Sequence, residues 1–124
     1  MVAYLKRGDS YRLRGELEAA LRDLRAAAEV DPTATRPLEL LGDVNASLHR
    51  YDRAQDAYRR FVMLDDRAPR VLYKLALASV RNGQAASAVD PLRRALALDD
   101  QFAEAHYLLG VSLRAQAHDD DAAL

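Results

Sequence analysis

Residues 38–66, LELLGDVNASLHRYDRAQDAYRRFVMLDD, contain two apolar patterns of helical spacing on either side of a short polar stretch. Leu38, Leu41 and Leu48 are spaced so that they fall on one face of a helix. Few β-branched residues compete with this pattern, and no alternation of period two persists long enough to indicate a strand. The segment therefore predicts a helix, a turn and a second helix.

The same arrangement recurs along the whole chain when the sequence is shifted by 34 residues. The aligned columns are Gly8, Gly42, Ala76 and Gly110; Ala20, Ala54, Ala88 and Ala122; Leu24, Tyr58 and Leu92; Ala27, Phe61 and Ala95; Leu41, Leu75 and Leu109; Tyr4, Leu38, Leu72 and His106; and Asp31, Asp65 and Asp99. Small residues recur where helix backbones approach closely, and large ones recur where a helix face fills the space between helices. A period of this length is typical of stacked helix pairs.

The period and its motif resemble the tetratricopeptide repeat. Repeat one carries Tyr4, Gly8, Tyr11, Ala20, Leu24, Ala27 and Pro32, repeat two carries Leu38, Leu41, Gly42, Ala54, Tyr58 and Phe61, and repeat three carries Leu72, Leu75, Ala76, Ala88, Leu92 and Ala95. The closing proline of the family is replaced by Asp66 and Asp100 in the later repeats. The resemblance implies an all-α fold, a right-handed α-solenoid of about 3.5 antiparallel helix pairs.

We predict a single domain over residues 1–124, with repeats at 1–34, 35–68 and 69–102 and a partial repeat at 103–124. First helices are expected at 2–14, 36–48, 70–82 and 103–115, and second helices at 16–29, 51–64 and 85–98. The fourth repeat ends soon after Ala122, which aligns with the start of second-helix packing. This suggests a fragment, a disordered tail or a longer parent protein, and an open edge that favours self-association.

Three prolines are assigned to helices. Pro37, behind the candidate N-cap Thr35, and Pro69 are expected in first turns, where a missing N–H costs little. Pro91 falls inside the expected helix 85–98, where proline costs about 3 kcal/mol. We therefore predict either a kink at Pro91 or a late start of that helix.

By resemblance to the family, certain first-helix positions line a concave groove that receives an extended peptide or a partner helix. The partner-binding residues predicted in this way are Lys6, Asp9, Arg36, Glu39, Asp43, Arg70, Tyr73, Lys74, Arg81, Tyr107 and Arg114. Arginine pairs with carboxylates through two parallel hydrogen bonds, and tyrosine offers rigid, amphipathic contact area. The alternative is that these are ordinary solvated helix residues, with the tyrosines filling seams between repeats.

One specialised subtype of the family, which grips a terminal carboxylate through basic and asparagine residues, does not fit. The matching positions are Leu5, Asp9, Leu40, Arg70 and Lys74. Only the last two suit an anion, and Asp9 would repel it. We therefore reject this specialisation.

Other classes of function find little support in the composition. The chain has 124 residues, no cysteine and a formal charge of −1, which argues against thiolate metal sites and bulk capture of nucleic acid. His49 is expected in a turn and His106 at a packing seam, while His118 with Asp119–Asp121 is better explained by acidic residues opening a helix than by a metal site. No phosphate-binding loop or nucleophile motif occurs, so no catalytic residue, metal or cofactor is predicted.

The sequence thus favours a protein–protein interaction scaffold that is not an enzyme. The alternatives are a self-associating structural module, or an accessory domain of a larger enzyme or of an envelope secretion or export protein. No apolar run long enough to cross a membrane and no signal peptide is present in these residues, so cytoplasm is favoured without being decided.

Overall fold

The computed structural model describes residues 2–123, with side chains as far as Asp121. Within these residues the chain forms seven α-helices and no strand, which confirms the all-α helical repeat. The helices are α1 Val2–Leu13, α2 Leu17–Val30, α3 Arg36–Ser47, α4 Tyr51–Leu64, α5 Pro69–Arg81, α6 Ala86–Leu98 and α7 Ala103–Ala123. The first six agree closely with the predicted bounds, and α7 does not.

The contacts divide the chain into two units. The first contains α1–α4 and ends at Asp65, and the second contains α5–α7 and begins at Asp66. In the first unit α1 packs on α2 and α3 packs on α4, while α3 also contacts α2 and α1. In the second unit α6 packs on α5 and α7, which also contact each other. The single-domain organisation of residues 1–124 stays a prediction.

The repeat columns form the cores of the two units. Ala20, Ala54 and Ala88 are all fully buried, as are Leu24 and Leu92 in the column of large residues. Alanine permits close approach of two helix backbones, and each leucine fills the adjacent space. The periodic pattern therefore identified these five interior positions correctly.

The aspartate column ends the second helices. Asp31, Asp65 and Asp99 follow α2, α4 and α6 in an extended conformation, and each donates its backbone N–H to the carbonyl four residues earlier. The Asp31 carboxylate accepts hydrogen bonds from the backbone N–H and the hydroxyl of Thr33, and Asp99 accepts one from the N–H of Gln101. Such local bonds favour turns over continued helix.

The prediction that the fourth repeat turns after residue 115 is wrong, because α7 continues to Ala123. In each earlier repeat the turn contains a residue with positive φ: Gly15 at 77°, His49 at 58° and Gly83 at 76°. His49 thus lies in a turn, as expected. The equivalent position in the fourth repeat is Ala117, and alanine has the highest helix propensity. Asp119–Asp121 consequently lie in the last turns of α7 and do not open a helix.

The prolines behave largely as expected. Pro69 is the first residue of α5 and Pro37 the second of α3. Thr35 occupies the N-cap position of α3, although its side chain makes no capping hydrogen bond. Pro91 is buried inside α6, which begins at Ala86, so the late start is excluded and the kink stays a prediction.

The packing role predicted for His106 is wrong. In its column Leu38 and Leu72 are buried, but Tyr4 and His106 are exposed. The described residues supply no second helix after α7 to cover His106, as they supply none before α1 to cover Tyr4. The His106 ring instead contacts the carbonyl oxygen of Asp100 through Nε2 at 2.8 Å.

A bidentate ion pair joins α1 to α2. Arg7 Nε donates to Asp23 Oδ2 at 2.7 Å and Arg7 Nη2 donates to Asp23 Oδ1 at 2.9 Å. The Asp23 side chain is only 9% exposed, whereas that of Arg7 is 60% exposed. The hydrogen bonds from Arg7 lower the pKa of the Asp23 carboxyl below its ordinary value, in opposition to burial, which raises it.

The Asp23 ion pair is expected to make the stability of the first unit depend on acidity. The pKa of Asp23 is lower in the folded chain than in the unfolded chain, so the pair stabilises the fold at pH values above the unfolded pKa of about 3.9. This contribution is lost as the pH falls through the folded pKa. Urea unfolding followed by circular dichroism between pH 7 and pH 2 should show a steeper acid loss for the parent chain than for Asp23→Asn. Equal slopes would contradict this assignment.

Candidate partner-binding surface

The predicted binding residues of the first unit lie on α1 and α3, two neighbouring first helices. Lys6 is exposed on α1, and Asp9 is half-buried one turn later. Asp9 Oδ1 accepts hydrogen bonds from Arg12 Nε at 2.9 Å and from Arg12 Nη2 at 2.7 Å. The Asp9 carboxylate is therefore paired with a cation of its own helix.

On α3 the structure places one predicted residue away from the surface. Glu39 is 2% exposed, so the exposure expected of a partner-binding side chain is not found there. Its carboxylate accepts a hydrogen bond from Arg36 Nη1 at 3.3 Å, while Arg36 itself is exposed. The reason is that α3 is enclosed by other helices on most of its faces, with eight of its twelve residues buried.

Asp43 is held in place by a residue from α4. The Tyr58 hydroxyl donates to Asp43 Oδ1 at 2.6 Å, and the Tyr58 side chain is buried. Burial, and then the hydrogen bond to Asp43, raise the pKa of the Tyr58 phenol far above its ordinary value, so the phenol remains a donor. The ring lies against Gly42, where a side chain would collide with it. Gly42 therefore allows Tyr58 to reach and orient Asp43.

Removing the Tyr58 hydroxyl is expected to destabilise the first unit by about 1 kcal/mol, because a partly buried hydrogen bond is lost. The change is Tyr58→Phe, measured by urea unfolding. Tyr51→Phe is the matched control, since the Tyr51 hydroxyl makes its contact with His49 Nδ1 at the exposed surface. Equal losses for the two variants would argue against a specific role of Tyr58.

On α5 the predicted residues differ in exposure. Arg70 and Arg81 are exposed at its two ends, and Lys74 is half-buried. Tyr73 is also half-buried and packs against the core of the second unit, with its ring centroid 5.2 Å from that of Phe102. Tyr73 thus has a packing role, as the alternative interpretation of the tyrosines expected.

On α7, by contrast, the equivalent tyrosine is open to solvent. Tyr107 is 76% exposed, and Arg114, two turns further along the helix, is exposed as well. Spacing by seven residues places these two side chains on the same face of α7. They form an aromatic and cationic pair of positions that a partner could contact without disturbing the core.

Sequence reasoning missed the side chains that position the predicted ones. Tyr58 stands in a column otherwise occupied by Leu24 and Leu92, and it lies against Gly42 of the preceding helix. A hydroxyl in a column of leucines was the available signal. The contact of Tyr73 with Phe102 had no comparable signal, because Phe102 lies outside the columns of the repeat motif.

In residues 2–123, the helices offer no segment whose length and apolarity would allow it to cross a membrane.

Comparison with curated proteins identifies a relative of greater length. The chain is 30% identical over 125 aligned residues to the cytochrome c-type biogenesis protein CycH of Bradyrhizobium diazoefficiens (strain JCM 10833 / BCRC 13528 / IAM 13628 / NBRC 14792 / USDA 110). The alignment covers 98% of this chain but 34% of CycH, so the chain spans about a third of the length of that relative.

Solved structures of the same architecture are similar over nearly the whole chain. The crystal structure of MamA superimposes with a TM-score of 0.90 and 28% identity, covering 98% of this chain and 66% of MamA. The first repeat domain of Spaghetti (RPAP3), bound to the HSP90 peptide SRMEEVD, superimposes with a TM-score of 0.85 at 17% identity, covering 94% of this chain and 92% of that domain. The second likeness concerns the fold alone.

The family model for the tetratricopeptide repeat matches three overlapping segments, residues 5–70, 40–101 and 73–124. Together these segments span almost all of the sequence and agree with the helix pairs seen in both units. The chain therefore belongs to the tetratricopeptide repeat family.

Proposed function

We propose that the chain binds a protein or peptide partner through the exposed faces of its first helices, and that α7 contributes the principal contact. The observation that carries this proposal is the exposure of Tyr107, which is 76% accessible while the equivalent Tyr73 packs on Phe102. Exposed tyrosine and arginine are residue types that often dominate binding energy at protein interfaces. Tyr107 and Arg114 combine both types on one helix face.

The family supports this proposal at a coarser level. Tetratricopeptide repeats are generally non-catalytic scaffolds for protein interactions. A protein of the same fold, the first repeat domain of RPAP3, is bound to a peptide, which illustrates what the architecture can do. The predicted residues that remain on or near the surface are Lys6, Asp9, Arg36, Asp43, Arg70, Tyr73, Lys74, Arg81, Tyr107 and Arg114.

The test is affinity capture from lysate of the source organism with the parent chain and with the double variant Tyr107→Ala, Arg114→Glu. The matched control is Leu98→Ala, Arg93→Glu, which alters an exposed apolar residue and an exposed arginine on α6. We expect the α7 variant to capture at most about one tenth of the partner that the parent chain captures, because loss of an interface anchor costs more than about 1–2 kcal/mol of binding free energy. Circular dichroism is used to check that the parent chain and both variants are folded.

Equal recovery of one partner by the parent and the folded α7 variant would overturn the assignment to α7. Recovery of the chain alone, together with concentration-dependent sedimentation, would instead favour the self-associating structural module.

A second candidate function, a repeat module within a longer protein, is favoured by the match to one third of CycH. It is tested by replacing the matching segment of CycH in Bradyrhizobium diazoefficiens with this chain. If the module is equivalent, the strain should retain c-type cytochromes, detected by haem staining. Loss of c-type cytochromes despite normal accumulation of the chimaera would exclude that equivalence.

A further inference from the structure

A cavity of about 370 Å³ lies in the first unit, on residues that the predicted binding surface does not include. Side chains from α2 and α4 line its sides, and Leu41 and Asn45 of α3 line it from between them. Its volume is at the lower end of the range of about 300–1,000 Å³ typical of ligand sites. This size suits one or two side chains of a bound segment better than a large cofactor.

The cavity lies beside a column at which the second repeat has a short polar residue. Asn45 is equivalent to Tyr11 in the first repeat and to Ser79 in the third, according to the 34-residue alignment. Tyr11 is half-buried in its own repeat, and asparagine at the same position occupies much less volume. A short polar residue at this column leaves more space beside α3 than a tyrosine would.

Asn45 also carries an unmet hydrogen-bonding group. Its Nδ2 donates to the carbonyl oxygen of Leu41 at 2.9 Å, which fixes the orientation of the amide. Its Oδ1 is buried and has no hydrogen-bond partner within the described part of the chain. A buried acceptor without a partner costs free energy that a suitable donor would recover. Asn45 lines the cavity, so a ligand that displaces the side chains covering this oxygen can supply that donor.

The rim of the cavity has an excess of positive charge. Arg25, Arg53 and Arg60 line it, and among the described residues none of the three makes an ion pair or a hydrogen bond. The acidic lining residues are Glu29 and Asp56. Asp56 already accepts a hydrogen bond from Arg59 at 3.4 Å, so part of its charge is balanced. Three guanidinium groups around a small cavity favour a ligand that carries carboxylates.

We propose that this cavity is a second binding site, which takes a short acidic peptide segment. A side chain with an N–H or O–H donor enters the cavity and donates to Asn45 Oδ1. Carboxylates on either side of it pair with Arg25, Arg53 and Arg60. The site shares no residue with the predicted partner surface on the first helices.

The test is a nuclear magnetic resonance titration of the ¹⁵N-labelled chain with three peptides, Ac-EEQEE-NH₂, Ac-EELEE-NH₂ and Ac-KKQKK-NH₂. The glutamine peptide should give saturable shifts in α2, in α4 and in the side-chain amide of Asn45. The leucine peptide, which lacks the donor, should bind about tenfold more weakly. The lysine peptide should give no saturable shift, because the arginine rim repels it.

Two variants assign the binding to the cavity. Arg53→Glu with Arg60→Glu should weaken binding of the glutamine peptide at least about tenfold, since two favourable charges become unfavourable. The matched control, Arg22→Glu with Arg93→Glu, makes the same charge change at two exposed arginines outside the lining and should have a much smaller effect. Asn45→Leu should remove the preference for glutamine over leucine. If Asn45→Leu does not fold, the arginine variants and the comparison of the peptides still decide whether binding occurs at the cavity.

The proposal fails if the glutamine peptide gives no saturable shifts at millimolar concentration, or if glutamine and leucine peptides bind equally well. Shifts confined to α5 and α7 would also overturn it. The Tyr107→Ala, Arg114→Glu variant should bind the glutamine peptide as the parent does. Loss of partner capture in that variant, with this peptide still bound, separates the outcome for the cavity from the outcome for the first-helix surface.

Discussion

Replacing Gly42 by alanine is expected to destabilise the first unit by about 1–3 kcal/mol, whereas the same change at Gly110 is expected to stabilise α7 by up to about 1 kcal/mol. A Cβ on Gly42 would collide with Tyr58 Cε1 and lie only 2.6 Å from Cδ1 and Cζ. The ring cannot move aside freely, because it is 3% exposed and its hydroxyl is bonded to Asp43. At Gly110 a Cβ meets nothing within 4 Å.

The matched glycines make this a sensitive measurement. Both substitutions replace glycine by alanine within a helix, so both gain the same intrinsic helix propensity, and the difference between them reports the collision. Urea unfolding of Gly42→Ala, Gly110→Ala and the parent supplies the free energies. Similar changes in stability at the two sites would show that the Tyr58 ring adapts without cost.

A double substitution tests whether Tyr58 is the cause. The third repeat has Ala76 at the equivalent glycine position and Leu92 at the equivalent tyrosine position, and both are fully buried. The third repeat therefore shows that alanine and leucine can share the core at these two positions. Gly42→Ala combined with Tyr58→Leu should be more stable than the sum of the single changes indicates. Strict additivity would contradict a direct contact.

Truncation of Leu92 is expected to destabilise the second unit by about 2–5 kcal/mol, since the side chain is completely buried among Ala76, Ala88, Ala105 and Leu108. The neighbouring alanines are held in place by the helices that carry them, so they cannot move easily into the space that Leu92→Ala leaves. Leu113→Ala is the matched control, because Leu113 is 39% exposed and its truncation should cost less than about 1 kcal/mol. Comparable losses for the two would contradict the core assignment.

Hydrogen exchange in the Leu92→Ala variant also tests the domain organisation. Slowly exchanging amides in α5–α7 should exchange faster by the factor that corresponds to the loss of stability. If residues 1–124 form the predicted single domain, exchange in α1–α4 should accelerate by the same factor. If the two units unfold separately, exchange in α1–α4 should change little. The measurement thus distinguishes the predicted single domain from the two compact units defined by contacts.

The candidate binding surface was only partly predictable from the sequence. Family positions placed Tyr73 and Tyr107 in equivalent roles, but the structure packs Tyr73 on Phe102 and leaves Tyr107 exposed. Glu39 was assigned to the surface and is buried. Exposure depends on which helices cover a position, and a repeat alignment treats all repeats alike although their neighbours differ.

The sequence by itself determined the helix pairs and the columns of small and large residues, because each of these depends on spacing along one helix. The tertiary structure decided the rest. It showed that α7 continues through Ala117, that Tyr58 orients Asp43 across Gly42, and that Asn45 lines a cavity beside α3. These features depend on which side chains from different helices meet and how much volume they fill, and a periodic pattern contains neither quantity.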